Sequence, residues 1–173
     1  MKETIKDLLE RRSIRSYKQA QIKKDELDAI LQCGVYAPTA MGMQSPLLVA
    51  VQDAAKVKTL SKMNGAVWGK DMDPFYGAPT VVIVLAERDN PNSVQDASLV
   101  MGNLMNAAHA LGLGSCWINR AKEMFELEDG RALLRSWGVD DKYMGVGICA
   151  LGYIEGAYPQ PKPRKAGYVL YAD

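Results

Sequence analysis

Histidine is nearly missing: His109 is the only one in 173 residues. That scarcity makes His-based metal sites, Cys-His dyads and most Ser-His-Asp hydrolase schemes poor candidates. Cysteine is sparse too. Cys33, Cys116 and Cys149 are odd in number, far apart and without a CxxC pair, which argues against a disulfide framework or zinc ribbon and for a reducing compartment. Each reads as a small buried apolar residue. No apolar run reaches the ~18 residues of a membrane span. The start, Met1-Lys2-Glu3-Thr4-Ile5-Lys6-Asp7, mixes charges before any apolar stretch, unlike a signal peptide. A cytoplasmic chain with no membrane partner is the expectation. Neither a G-x-x-x-x-G-K-S/T phosphate loop nor a G-x-S-x-G elbow occurs. The carboxylates are scattered over helix surfaces with no acid/base pair among them, so neither a metal site nor a catalytic side chain is expected. Charge of one sign is lacking as well: 21 Lys+Arg oppose 20 Asp+Glu, a net +1 that disfavours a nucleic-acid partner.

What remains is a chain with 48% hydrophobic and 24% charged residues, suited to one globular domain over residues 1–173. Thr4 to Arg12 puts Ile5, Leu8 and Leu9 on one helical face, with Thr4 and Asp7 in a capping pattern. Lys24 to Tyr36 repeats the spacing and stops ahead of Ala37-Pro38. Thr39 to Pro46 reads as a loop. Leu47 to Val51 and Thr80 to Ala86 are β-branched apolar runs that suit strands covered on both faces. Between them, Ala54 to Met63 reads as a helix and Gly65 to Gly77 as an irregular aromatic loop. Ser93 to Leu111 is a helix apolar nearly all round, hence central or at a subunit interface, and His109 within it reads as a packed rather than catalytic residue. Gly114 to Ile118 and Gly145 to Gly152 read as strands, with Glu128 to Trp137 a helix before the latter. Gly145-Val146-Gly147-Ile148-Cys149-Ala150 matches the G-x-G-x-x-A dinucleotide pattern, but it lies within a strand-like run instead of opening a helix. The layout is α/β or α+β, with about four strands covered by helices.

Two basic clusters remain. Arg11-Arg12-Ser13-Ile14-Arg15 follows the first helix and offers guanidinium forks and a hydroxyl, groups that bind phosphate oxygens. Helix-end capping would account for Arg11 and Arg12 but not for Arg15 or Ser13. The second, Pro161-Lys162-Pro163-Arg164-Lys165, lies on a proline-stiffened tail. That tail ends in the apolar Tyr168-Val169-Leu170-Tyr171, so 155–173 reads as an arm that docks on the body or on a second copy.

These clusters, together with Ala37-Pro38-Thr39-Ala40-Met41, Gly77-Ala78-Pro79-Thr80 and Leu111-Gly112-Leu113-Gly114-Ser115-Cys116-Trp117-Ile118, resemble the FMN-dependent nitroreductase family in order and spacing along nearly the whole chain. The resemblance implies a nitroreductase-like fold, a mainly antiparallel sheet of about four to five strands flanked by helices. It also implies a homodimer with FMN in two interface pockets. By similarity, Arg11, Arg12 and Ser13 would hold the FMN phosphate and ribityl chain, joined by Lys162 and Arg164. Arg15 would reach the pyrimidine edge, with Asn64 and Lys70 as weaker candidates there. Pro38, Thr39, Ala40 and Gln44 would come from the other subunit. Backbone groups at Trp117, Ile118 and Asn119 would face the ring near O4 and N5. The implied activity is two-step transfer of hydride equivalents from NADH or NADPH through flavin N5 to nitroaromatic, quinone or similar acceptors. The flavin would carry the chemistry. The competing expectations are a non-catalytic flavin carrier or sensor dimer, and a dimeric scaffold with no flavin. The chain departs from the family in the second loop, with Gly42 and Gln44-Ser45-Pro46-Leu47 where many members have Asn and then Gln-Pro-Trp.

Overall fold

Val81 to Ala86 are apolar on both alternations, so a strand there must be covered on both faces. In the computed structural model, which describes residues 1–172, they form β2 (Thr80–Glu87) inside a four-stranded sheet. Its neighbours are β1 (Leu47–Val51) and β4 (Tyr143–Gly152), and β3 (Gly114–Ile118) lies beyond β4. Every pairing is antiparallel. Val82, Val84 and Ala86 pack with α2 (Lys24–Val35) and α4 (Ser93–Ala110), through Leu27, Ile30, Val100 and Leu104. Val81, Ile83 and Leu85 face the opposite layer, where Leu60, Phe125 and Leu134 come from α3 (Ala54–Trp68), α5 (Ala121–Glu126) and α6 (Glu128–Ser136). Each fully buried aliphatic side chain in these layers contributes roughly 2 kcal/mol. The chain is thus one α+β layer sandwich, and the G-x-G-x-x-A match lies inside β4.

The differences from the sequence expectation have local causes. Helix α3 continues past Met63 to Trp68, because the residue that ends it is Gly69, at φ 68°, and not Gly65. The turn that follows is tied by Asp73, whose carboxylate accepts from Ser61 Oγ and from the Phe75 and Gly77 amides. Six-residue α5 has no periodic signature to read, yet it presses directly on the sheet: a Cβ on Gly145 would lie 2.3 Å from the Ala121 carbonyl oxygen. Helix α1 (Glu3–Glu10) is capped at Lys2 with no side-chain bond, so the Thr4/Asp7 pattern forms no cap. Its Ile5, Leu8 and Leu9 are all exposed. Strand β1 is an edge, with Leu47 to Val49 half-buried and Ala50 exposed, so it is not covered on both faces. Cys116 and Cys149 are buried as expected, but Cys33 is exposed on α2. In the arm, Tyr168 to Tyr171 are exposed, Leu170 at 90%. Its last residue, Asp173, lies outside the described residues.

The close contact at Gly145 gives a direct check. Gly145→Ala is expected to lower stability by about 3 kcal/mol in urea denaturation, because backbone and not a movable side chain opposes the new methyl.

Candidate functional site

The first basic cluster is held against the sheet by a strap. Ser13 forms a parallel bridge with Ser115 of β3, and Tyr17 an antiparallel bridge with Ile154. The Ile14 amide donates to the Ser115 carbonyl at 2.9 Å, and the Tyr17 hydroxyl returns to the Ile14 carbonyl at 2.8 Å. Ile14 and Tyr17 are buried, packed where a Cβ on Gly114 or Gly152 would meet them at 2.9 and 3.0 Å. Gly114 and Gly152 pair across β3 and β4. Two glycines therefore clear the end of the sheet so that the strap can cross it.

The strap sets the arginines. Arg12 Nη1 donates to the Leu9 and Arg11 carbonyls, both at 2.8 Å, so this residue does cap the end of α1. Arg11 does not. Its Nη1 is buried without a hydrogen-bond partner, as is Arg12 Nε. Arg15 is exposed and lies 5.8 Å from the Tyr76 ring centroid. Among the described residues, none of the three forms an ion pair with a carboxylate. Arg15, Ser13 and Arg11 all act on Cys116. Burial pushes this thiol up from its ordinary range, and the Arg15 charge, the Ser13 hydroxyl and the Arg11 charge pull back against it. The structure therefore brings Arg11, Arg12, Ser13 and Arg15 together beside β3, with cationic donors in excess.

The root of the arm joins the same region. Tyr158 accepts the Arg12 amide and donates to the Glu10 carbonyl, both at 3.0 Å, and its hydroxyl is 3.2 Å from His109 Nδ1. His109 thus has a packing partner. Lys162 and Arg164, four and six residues beyond Tyr158, are exposed and make no hydrogen bond to the cluster within the described chain. The second-loop residues lie elsewhere. The Ala40 amide donates to Asp96 Oδ1 at 3.0 Å, and the Gln44 amide to Thr39 Oγ1 at 3.0 Å. Pro38 and Gln44 are exposed, Thr39 and Ala40 half-buried. No hydrogen bond joins this loop to the arginines among the described residues. A cavity of about 850 Å³ along α3 is lined by Lys70 and by no other expected site residue, so it lies apart from the strap arginines.

Ile118 is buried, while Trp117 is half-buried with its indole N–H lacking a partner. Asn64, expected at a ligand edge, is fully buried in the single chain, where its amide makes internal bonds. Its Nδ2 donates to the Asn119 carbonyl at 2.9 Å, and its Oδ1 accepts from Arg120 Nε at 3.1 Å. Arg120, which sequence inspection passed over, also lies 4.3 Å over the Trp68 ring, with Lys70 4.5 Å from the same centroid. Nothing in a lone arginine after a strand marks it out; the signal is its contacts.

The nitroreductase family model matches residues 8–70 and 64–153 of this chain. The chain belongs to the nitroreductase family. A nitroreductase crystallised with bound FMN from Bacteroides fragilis shares 33% identity, with each chain covered fully and a TM-score of 0.92. A protein of Archaeoglobus fulgidus with the provisional name NADH dehydrogenase/NAD(P)H nitroreductase is 31% identical over 156 residues, 88% of this chain and 86% of that one. The FMN reductase [NAD(P)H] of Bacillus subtilis is 28% identical over 148 residues, 73% of this chain and 59% of that protein. In this family member, Asn64 is a structural link. Asn64→Ala would strand the Asn119 carbonyl and Arg120 Nε, and is expected to cost about 2 kcal/mol in chemical denaturation. Asn119→Ala, at an exposed side chain, should change stability by less than ~0.5 kcal/mol.

Proposed function

We propose that this chain is an FMN-dependent oxidoreductase that draws on NADH or NADPH and reduces nitroaromatic, quinone or similar planar acceptors. The observation that carries the reading is the unpaired guanidinium set on the strap. Buried Arg11 Nη1 and Arg12 Nε have no acceptor, and a charged donor out of water without a partner is costly. A phosphate dianion supplies the acceptors that the chain withholds, so the residues present fit the phosphate end of FMN. The bound FMN of the Bacteroides fragilis relative supports the same assignment.

Bound FMN would supply the two-electron chemistry, taking a hydride equivalent at N5 and passing it to the acceptor in a second step. The chain's part is to bind and orient. Arg11 and Arg12 present N–H donors, and Ser13 adds a hydroxyl. Arg15 carries its charge to the pyrimidine edge, where positive charge favours the reduced ring. Lys162 and Arg164 join from the arm, and backbone groups of Trp117, Ile118 and Asn119 border the ring. Pro38, Thr39, Ala40 and Gln44 come from a second subunit.

A homodimer follows from the same proposal. Ile5, Leu8 and Leu9 on α1, Val94 and Leu99 on α4, and Tyr168 to Tyr171 on the arm are apolar and exposed in one chain. Patches of that extent mark an interface. Residues 1–173 then act as one domain with 155–173 as the docking arm, in the cytoplasm, where the three thiols stay reduced.

FMN titration followed by quenching of flavin fluorescence checks the clamp. Arg11→Ala combined with Arg15→Ala should weaken FMN binding about 100-fold or more, given two charge-assisted contacts removed. Unaltered affinity in that double variant would remove the assignment.

A further inference from the structure

Arg120 and Lys70 form a second cationic pair, which the described chain engages only through the Trp68 ring and Asn64. Neither is in an ion pair among the described residues. Both lie within 4.5 Å of one ring centroid, that of Trp68. The indole attracts each cation without neutralising it, so both positive charges stay gathered around one ring. Arg120 Nε is committed to Asn64, which fixes the guanidinium plane, while its two terminal nitrogens have no hydrogen-bond partner and the side chain is half exposed. Lys70 is exposed.

The backbone adds an independent sign. Arg120 has φ 73°, a left-handed conformation that side chains other than glycine adopt at a cost. Such strain is retained where the surroundings over-determine it, often at a binding site. Here the over-determination is visible: Asn64, fully buried, locks Nε, and Trp68 supports the guanidinium face. An arginine fixed in plane, with a free fork and a lysine on the same ring, suits an oxyanion of tetrahedral charge distribution.

Its position separates it from the strap. Ser13 pairs with Ser115, near the start of β3, whereas Arg120 lies two residues past Ile118, the last residue of that strand. One clamp stands at each end of β3. A flavin mononucleotide has a single phosphate, which the strap takes, so the second clamp is free for another ligand.

We propose that Arg120 and Lys70 form an anion subsite that takes a phosphate of the nicotinamide dinucleotide donor. This inference rests on the flavin oxidoreductase reading. The donor carries a pyrophosphate in both forms and a further 2′-phosphate in NADPH, and the subsite fits the shared chemistry.

The test uses the FMN-loaded protein with two variants, Lys70→Ala and Arg120→Gln; the glutamine amide retains a donor for Asn64. Calorimetric titration with NADP⁺ and NAD⁺ reads binding without turnover. Anaerobic kinetics with NADPH, NADH and reduced nicotinamide riboside, which has no phosphate, read the KM against kcat split. Each variant should raise Kd and KM for the dinucleotides about 10-fold with the riboside KM unchanged, and Arg120→Gln should also leave kcat and FMN affinity unchanged. A larger effect on NADPH than on NADH places the 2′-phosphate at the subsite, and equal effects place the pyrophosphate there. Dinucleotide constants within twofold of the unmodified protein in both variants would overturn the inference, as would an equal loss with the riboside or a shift confined to FMN affinity or to a carboxylate-bearing acceptor. Failure of the unmodified protein to bind FMN at all would instead overturn the reading beneath it.

Discussion

Unpaired guanidinium charge, held against the edge of a sheet, is the constraint around which this molecule is arranged. A net charge of +1 conceals it, because the balancing carboxylates are placed elsewhere. Arg11 Nη1 and Arg12 Nε are buried with no acceptor among the described residues, a costly condition that a ligand's oxygens would relieve. The strap from Ser13 to Tyr17 makes that condition unavoidable. Its bridge to Ser115 and the packing of Ile14 on Gly114 fix the backbone, so the arginines cannot turn away without giving up the sheet edge. A single anion with several oxygens would resolve the conflict, which is why the proposed phosphate ligand suits this cluster.

The second loop is specified independently of the arginines. The Thr39 to Gln44 loop is anchored by Asp96 at Ala40 and closed by Thr39 on Gln44, and three of its residues, Met41, Gly42 and Gln44, have positive φ. A loop so specified has a function, yet within its own chain it has no hydrogen bond to the arginines among the described residues. Apolar faces on α1 and α4 and the end of the arm are exposed in the single chain, and there the proposed second copy would dock. The sheet's role is then to hold rigid positions: β3 carries one clamp near its start and Arg120 just past its end.

Much of this was legible before any coordinates. The β2 run, apolar on both alternations, and the all-round apolar α4 were read to within a residue or so, since burial on two sides leaves a strong pattern. The Arg11 to Arg15 cluster was legible because helix capping could not explain Arg15 or Ser13. Other features were not. Six-residue α5 has too little length for a period, and the end of α3 depended on which of Gly65 and Gly69 caps it, a matter of backbone conformation that composition does not encode. The internal link that Asn64 makes between Asn119 and Arg120 was not legible either, because it depends on tertiary packing. Arg120 was invisible for the same reason: its meaning comes from Trp68, Asn64 and Lys70, which no sequence spacing relates to it. The arm was rightly read as non-helical and apolar at its end, whereas its root contact, Tyr158 with Arg12, arises only once strap and tail share one edge.

The absorbance spectrum of the purified, FMN-incubated protein before and after anaerobic addition of NADPH tests the central claim most directly. Bands of oxidised flavin that survive removal of free FMN, and that bleach on addition of NADPH or NADH, are the predicted result. A protein that remains colourless would contradict the phosphate-clamp account, and retained flavin that neither nucleotide bleaches would contradict the oxidoreductase function.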